Sequence, residues 1–323
     1  MIEVRTPCRL HFGLLAYSSG QSRQYGGVGV MIKRPDIALR VTSADTFTSE
    51  GPLADRAAEY ARRFAARCGR PVAGAHIRVL RAPRPHTGLG TGTQLGIAVA
   101  KALSQMIGCD NGGPATLAGL VGRGHRSAIG THGFFTGGFI VEGGKVESEN
   151  LSPLVVQQAF PSNWRIVLVC PNHLAGLTGD REIKAFASMS SISDEATSRM
   201  CRLVLLALTP ALLEQDLEGF GQALYELQQV AGSCFKQAQG GVYADRLLEQ
   251  VVHFIRGHGV CGVGQSSWGP SLYAVVGDED HATELAGRIQ KKFEFSPGEV
   301  MVTSADNRGA TVQPSAMPAG SLS

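Results

Sequence analysis

A glycine-rich turn from Pro85 to Gln94 is the part of this chain whose residue types are best suited to chemistry. Apolar residues recur at helical spacing directly after it, so the turn is predicted to open into an amphipathic helix. Thr91 followed by Gln94 fits a capping box at the start of that helix. Glycines let the backbone approach a ligand closely, and the free N–H groups of a first helical turn attract anions. A phosphate cradle is therefore expected, with contacts from Gly88, Leu89, Gly90, Thr91, Gly92 and Thr93.

The same turn could instead only make a tight corner, which is a common role of glycine. It is not a P-loop, because no Lys-Ser or Lys-Thr pair follows the glycines. It also lacks the spacing of the dinucleotide-binding fingerprint. Its role therefore depends on which other segments accompany it.

Basic side chains occur in two further segments. Arg9 and His11 alternate with apolar residues, so on a strand both would point to one face. Arg123, His125 and Arg126 concentrate positive charge in a glycine-rich loop, and such loops often carry function. We expect Arg9, His11, His125 and Arg126 to act on an anionic substrate. The alternatives are a polar edge-strand face for the first pair and solvated surface charge for the second.

Another glycine-containing segment, Gly264-Gln265-Ser266-Ser267-Trp268, precedes a predicted strand. Glycine permits close backbone approach, so these five residues are expected to bind substrate. Trp268 suits stacking on an aromatic ligand and suits equally a plug at a domain junction. Glu182 is a candidate ligand for Mg²⁺ at a predicted helix start, where a carboxylate also favours the helix dipole without any function.

Composition narrows the class of protein. The chain has 323 residues, 43% hydrophobic and 18% charged, which is typical of a soluble globular protein. A net charge of +3 is too small for a nucleic-acid surface and fits an enzyme that handles small anions. The seven cysteines form no CxxC pair, so a zinc site is not expected, and reduced thiols indicate the cytoplasm. We expect no membrane span, because the longest apolar stretch, Leu203 to Leu213, contains Thr209-Pro210.

The elements that position these residues fall into two predicted α+β domains, 1–160 and 161–306. A tail, 307–323, is rich in Gly, Ala, Pro and Ser and is predicted to be disordered. Within the first domain, residues 33–36 are predicted to join two separate strands. Residues 122–138 contain too much glycine for a predicted regular element.

Three glycine-punctuated segments are Thr6 to Leu15, the turn from Pro85 to Gln94, and Gly262 to Ser271. Their order and spacing resemble the GHMP superfamily, named for galactokinase, homoserine kinase, mevalonate kinase and phosphomevalonate kinase. The resemblance spans nearly the whole chain apart from the tail. It is closer to one branch, the β-ribofuranosylaminobenzene 5′-phosphate synthase family. The segments that carry this are Arg9-Leu10-His11-Phe12-Gly13, Gly122 to Gly130, Gly137 to Gly144 and Gly264 to Pro270.

This resemblance implies a two-domain fold, with an N-terminal domain like domain 2 of ribosomal protein S5 and a ferredoxin-like C-terminal domain. It also implies a homodimeric enzyme that joins phosphoribosyl pyrophosphate to 4-aminobenzoate or 4-hydroxybenzoate and releases CO₂ and pyrophosphate. The product belongs to the biosynthesis of methanopterin-type one-carbon carriers. Mg²⁺ would assist the backbone of the phosphate cradle, and a guanidinium group would orient the acceptor carboxylate. The cavity would exclude water.

The sequence departs from the kinases of the superfamily at two places. An ungapped alignment between Ser127 and Gly137 places Gly130 where many of those kinases carry a catalytic aspartate. Thr91-Gly92 likewise stands where the kinase phosphate loop has Ser-Ser. Both differences favour a reaction in which no hydroxyl is phosphorylated. An ATP-dependent small-molecule kinase and a non-catalytic sensor of a phosphorylated metabolite are the alternatives.

Overall fold

Two β-sheets flanked by helices form the fold, and the computed structural model describes residues 1–17, 23–109, 112–146, 151–176 and 191–314. The strands are β1 (Ile2–Leu14), β2 (Gly27–Ser43), β3 (Thr48–Glu50), β4 (Ala75–Arg81), β5 (Phe139–Glu142), β6 (Leu154–Gln158), β7 (Arg165–Val169), β8 (Gly262–Gln265), β9 (Leu272–Val276), β10 (Val300–Thr303) and β11 (Thr311–Pro314). The helices are α1 (Ala54–Arg67), α2 (Thr91–Met106), α3 (Pro114–Leu120), α4 (Ile129–Thr136), α5 (Asp194–Leu203), α6 (Thr209–Glu214), α7 (Leu217–Gln239), α8 (Arg246–Gly257) and α9 (Glu279–Phe293).

The first sheet has the order β11-β1-β2-β4-β3, and β5 and β6 extend it from β2. The second has the order β10-β7-β9-β8 and is antiparallel throughout. The chain passes from the first sheet to the second between Gln158 and Arg165, and β11 returns to the first. The predicted α+β class is confirmed by this arrangement.

The core is continuous between the two sheets because α7 lies against both. It contacts β1 of the first sheet and β8 of the second. Phe12 from β1 and Tyr273 from β9 are fully buried, with ring centroids 5.0 Å apart, and Phe220 of α7 belongs to the same apolar cluster. Helices α1 and α2 cover a second cluster on the first sheet, and α8 and α9 cover a third on the second sheet.

Three predictions about local structure are wrong. Residues 33–36 do not separate two strands, because β2 runs through them and only a register shift opposite Pro7 and Cys8 marks them. The stretch 122–138 contains helix α4, whose buried residues pack against β1 and β2. Residues 311–314 of the tail predicted to be disordered form β11 instead, because the edge of β1 offers them backbone hydrogen-bond partners. Residues 315–323 of that tail lie outside the described residues.

A helix of 21 residues, Asp194–Glu214, is long and apolar enough to cross a membrane by length and composition. It is longer than the sequence predicts, since the chain continues through Thr209-Pro210 by way of a π-helical turn at Val204–Leu208. Only 28% of its most apolar window is buried. Met200, Val204 and Leu208 are nevertheless buried at helical spacing in the central core cluster, so one face of the helix packs on the fold.

Candidate active site

A cavity of about 410 Å³ lies where the two sheets meet, and it brings the three sequence-predicted segments together. Its lining residues come from β1 of the first sheet, the turn before α2, the loop before α4, helix α7 and the β8–β9 loop. The predicted residues in its lining are Arg9, His11, Gly88, Leu89, Gly90, Thr91, Gly92, Thr93, His125, Arg126, Gln265, Ser267 and Trp268. Glu182 lies outside the described residues.

The turn before α2 presents backbone N–H groups to this cavity. Gly90 is the N-cap in the left-handed region, with φ 72°, which favours glycine. The N–H groups of Thr93 and Gln94 bond to its carbonyl oxygen at 3.0 and 3.1 Å. The first-turn N–H groups left for a ligand are therefore those of Thr91 and Gly92.

The predicted capping box is wrong. No side chain caps α2, and Gln94 is fully buried. Its Oε1 accepts a hydrogen bond from Thr6 Oγ1 at 2.5 Å, and its Nε2 donates to the Gly130 carbonyl oxygen at 2.6 Å. Gln94 fixes the helix to β1 and α4 because a buried amide needs partners for both of its polar atoms.

Arg9 and Ser266 hold the turn in place. Arg9 Nη1 donates to the Gly88 carbonyl oxygen at 2.5 Å, and Ser266 Oγ donates to the same oxygen at 2.7 Å. Ser266 is fully buried and also accepts a hydrogen bond from the His11 N–H group at 3.0 Å. Arg9 lines the cavity, but part of its guanidinium group serves the scaffold.

Two of the five predicted substrate-binding residues do not line the cavity. Ser266 is occupied by the contacts just described. Gly264 lies behind the wall, where a Cβ atom would be 2.5 Å from Gln228 Cγ and 2.6 Å from Tyr273 Oη. The small size of Gly264 lets the side chains of Gln228 and Tyr273 pack closely against it, and it does not serve contact with a ligand. Trp268 does line the cavity, with its ring centroid 4.9 Å from that of Phe235.

Two arginines cover the start of α2, and sequence reasoning missed one of them. Arg56 Nε donates to Tyr60 Oη at 3.2 Å, and Arg123 Nη2 donates to the same oxygen. A Cβ atom on Gly92 would lie 2.8 Å from Arg56 Nη2 and 3.1 Å from Arg123 Nη2. Gly92 therefore leaves the room that both guanidinium groups occupy. The only sequence signal for Arg56 is its i,i+4 spacing from Tyr60 on α1.

The charge of the lining is positive. Arg9, Arg56, Arg123 and Arg126 line the cavity, and none of the described lining residues is aspartate or glutamate. Burial lowers the pKa of His125, and Lys145 and nearby arginines lower it further, so this imidazole is neutral at pH 7. The site is suited to a ligand with several negative charges.

A chain of three polar side chains leads from the cavity into the protein. His11 Nε2 lies 3.1 Å from Ser127 Oγ, and Ser127 Oγ donates to Glu142 Oε1 at 2.6 Å. Glu142 is 1% exposed, and its Oε2 accepts a hydrogen bond from the Ala128 N–H group at 2.6 Å. Burial raises the pKa of Glu142 to about 7, and burial with the nearby Arg9 lowers the pKa of His11 to about 3.

The described residues do not fit a magnesium site held by the protein alone. Mg²⁺ prefers carboxylates and phosphate oxygens in an octahedral arrangement. The described part of the cavity wall has no carboxylate, and no group of three or more His, Cys, Asp or Glu suited to a metal occurs among the described residues. Among the described lining residues, Thr91 has a hydroxyl group that is buried without a hydrogen-bond partner.

The chain is similar in sequence to known proteins along nearly its whole length. Residues 208–294 match the family model described as GHMP kinases C terminal. The chain is 32% identical to beta-ribofuranosylphenol 5'-phosphate synthase of Archaeoglobus fulgidus, over 97% of this chain and 100% of that one. It is 30% identical to the protein of the same name from Methanothermobacter thermautotrophicus, over 95% and 97%.

Solved structures of the same fold include a homoserine kinase from Cytophaga hutchinsonii, with a TM-score of 0.70 and 18% identity over 97% of both chains. Another is a mevalonate pyrophosphate decarboxylase from Streptococcus pyogenes, with a TM-score of 0.68 and 13% identity over 95% of this chain and 97% of that one. At these identities the likeness concerns the fold. It confirms the GHMP-kinase-like architecture that the sequence motifs predict.

Proposed function

Because the chain belongs to the beta-ribofuranosylphenol 5'-phosphate synthase family, we propose that it joins phosphoribosyl pyrophosphate to 4-hydroxybenzoate with release of CO₂ and pyrophosphate. The word phenol in the relatives' names favours the hydroxy acid over 4-aminobenzoate as acceptor. The observation that carries the proposal is the arginine-lined cavity over a glycine-capped helix start, with no carboxylate among its described lining residues. The resemblance also implies a homodimer in methanopterin-type cofactor biosynthesis, and the cysteine pattern indicates the cytoplasm; these belong to the proposal.

We place the diphosphate of the donor at the start of α2. The N–H groups of Thr91 and Gly92 point an uncompensated positive dipole at this place. Arg56 and Arg123 add two guanidinium groups directly above it. Charge that develops on the departing pyrophosphate is stabilised there by donors that are already oriented, which is the most effective form of electrostatic catalysis.

The acceptor is proposed to lie on the opposite side of the donor ribose, between Arg126 and Trp268. Arg126 would orient the carboxylate, because a planar guanidinium group matches the geometry of a carboxylate. As the C1–O bond to pyrophosphate breaks, the ring carbon bearing the carboxylate forms a bond to ribose C1. The carboxylate then leaves as CO₂, and its C–C bonding electrons restore the aromatic ring.

Magnesium enters this proposal bound to the diphosphate of the donor, as part of the substrate. The ion neutralises phosphate charge when it is present. The Thr91 hydroxyl group, which has no hydrogen-bond partner among the described residues, would supply an oxygen contact to the ion. Chelation of the ion is expected to weaken donor binding without unfolding the protein.

Gly130 supports a transferase rather than a kinase. A Cβ atom at this position would lie 3.2 Å from Gln94 Nε2 and 3.7 Å from Arg9 Cγ, beside the phosphate turn. A carboxylate placed there would face the cradle, as a catalytic base for a hydroxyl acceptor must. The chain has no side chain at that point, so it lacks the base that phosphorylation of a hydroxyl group commonly uses.

The test uses purified protein with phosphoribosyl pyrophosphate, Mg²⁺ and 4-hydroxybenzoate labelled in its carboxyl group. Release of labelled CO₂ in equal amount to pyrophosphate supports the proposal. A parallel reaction with ATP and hydroxyl acceptors tests phosphoryl transfer. Phosphorylation of an acceptor with no CO₂ release would overturn the proposal, and so would tight donor binding without turnover of either acid.

A further inference from the structure

The hydrogen-bonded series His11–Ser127–Glu142 has no role in the proposed placement of the donor and the acceptor carboxylate, although His11 and Ser127 line the cavity. It ends on a buried carboxyl group in the short strand β5. A buried carboxyl group with a pKa near neutrality is costly to keep and is often found at functional sites. Its hydrogen bonds show which way a proton can move.

The direction follows from the number of protons available. Ser127 has one hydroxyl proton, and it is donated to Glu142 Oε1. Ser127 Oγ must then accept a hydrogen bond from His11 Nε2, which assigns the neutral imidazole its proton on Nε2. The His11 Nδ1 atom is left as an acceptor, and it has no hydrogen-bond partner among the described residues.

The two acceptor acids differ in what they need at the atom opposite the carboxylate. A 4-amino group pushes electron density into the ring with its neutral lone pair. A 4-hydroxyl group does so strongly only when it loses its proton to a base. Attack by a hydroxybenzoate ring therefore benefits from a proton acceptor that aminobenzoate does not require.

We propose that His11 Nδ1 accepts the proton of the acceptor's 4-hydroxyl group while Ser127 and Glu142 carry charge away from the imidazole. This rests on the proposed function. The hydroxyl proton moves to His11 Nδ1, the Nε2 proton moves to Ser127 Oγ, and the Ser127 proton moves to Glu142 Oε1. After CO₂ departs, the product phenolate recovers a proton by the reverse path, so no net proton is consumed. His11 is the catalytic residue, and Glu142 is a positioning residue that acts through Ser127.

The pKa values of His11 and Glu142 are consistent with this proton path. Burial keeps His11 neutral, so an imidazolium is not its resting state. Burial raises the pKa of Glu142 to about 7, which lets this group gain and lose a proton close to neutral pH. The elements packed against β5 are β2, which carries Lys33, Arg34, Asp36 and Arg40, β6, which carries no titratable side chain, and α4, which carries His132. The neighbouring segments carry Glu3, Arg5, Cys8, Arg9 and His11 on β1, Arg123, His125 and Arg126 in the loop before α4, and Lys145 after β5.

A structural role for Glu142 makes a different prediction. Its bonds to Ser127 and the Ala128 N–H group also shape the loop before α4. If that were its only role, a substitution would slow both acceptors by the same factor. The comparison between acceptors therefore separates the two roles.

The experiment measures kcat against pH for 4-hydroxybenzoate and 4-aminobenzoate, first with the unaltered enzyme. We expect the rate with the hydroxy acid to fall below about pH 7, where Glu142 holds a proton, and the rate with the amino acid to lack this limb. Glu142→Gln and Ser127→Ala should each reduce the hydroxy rate about 10²-fold or more, with far smaller losses on the amino acid. With the hydroxy acid, each variant should also lose the fall in kcat below about pH 7.

A fluorinated acceptor, 3,5-difluoro-4-hydroxybenzoate, makes the test independent of whether 4-aminobenzoate is used. Its hydroxyl group is already ionised at neutral pH, so Glu142→Gln should be much closer to the unaltered enzyme with this acid. Equal losses with all acceptors, or the same acidic limb for each in the unaltered enzyme, would overturn the inference. Failure of the unaltered enzyme to convert any of these acids would instead overturn the proposed function.

Discussion

Arg56 shows how a single side chain can define a site without any motif. It lies on α1, distant in sequence from the phosphate turn, and reaches Gly92 only because α1 packs beside α2. Glu142 was equally hard to recognise as part of a site, because it ends an apolar strand and would ordinarily be expected at a surface. Arg9, His11, His125 and Arg126 could be predicted, because they stand beside glycines or alternate along a strand.

Replacing Arg56 tests the proposed diphosphate site. Arg56→Ala should raise the KM for phosphoribosyl pyrophosphate roughly 10- to 100-fold, since a hydrogen bond to a charged group contributes about 1.5–3 kcal/mol. Arg62→Ala is the matched control, because Arg62 lies on the same helix and is exposed. Steady-state kinetics with the donor varied measure the effect. Equal KM values in the two variants would remove Arg56 from the site.

Glu142 should also leave a signature in stability. Its folded pKa is raised from 4.5 to about 7, so it contributes stability that is full below pH 4.5 and is lost as pH rises through 7. A shift of this size corresponds to roughly 3 kcal/mol across that window. Urea unfolding at several pH values should show the unaltered protein losing stability relative to Glu142→Gln as pH rises from 5 to 8. A difference that does not change with pH would contradict the assigned shift.

At the scale of elements, the sequence predicts helices that follow from local apolar periodicity. It misses elements that form only through packing against other parts of the fold. Helices α1 and α9 have clear apolar periodicity, and such a pattern alone indicates a helix. Helix α4 was missed because glycines at positions 130 and 133 disfavour a helix in isolation. It forms because Gly133 packs against Met31 of β2, where a larger side chain would not fit. Tertiary contact overrides propensity there.

Strand β11 leads to a prediction about the edge of the first sheet. Ending the chain after Ala310 removes residues 311–314, which pair with Ile2 to Arg5 of β1. The unpaired edge should lower the melting temperature and promote association, because exposed strand edges pair with other chains. A chain ending after Pro314 is the control. Thermal unfolding and light scattering compare the two, and identical behaviour would show that β11 contributes little.

At the scale of the whole molecule, the site exists because helix α7 packs against both sheets and forms one wall of the cavity between them. Gln228 of α7 is part of that wall and is buried. Its Nε2 donates to the Phe12 carbonyl oxygen in the first sheet, and its Oε1 accepts from the Gln265 N–H group at 2.8 Å in the second. Neither half of the chain contains a complete site, so no motif within one domain could predict the cavity. Only the order of the three segments did.

Gln228→Leu tests whether this wall couples the two halves. The substitution leaves a buried carbonyl oxygen and a buried N–H group unsatisfied, which should cost roughly 2–4 kcal/mol of unfolding free energy. Gln222→Leu on the same helix is the control, since Gln222 is exposed. The two tryptophans are Trp164 in the central core and Trp268 in the cavity wall. Their fluorescence and far-UV circular dichroism should report one shared transition that shifts as a unit. If the two signals separated in the variant, the halves would unfold independently, and the shared wall would not be what holds the site together.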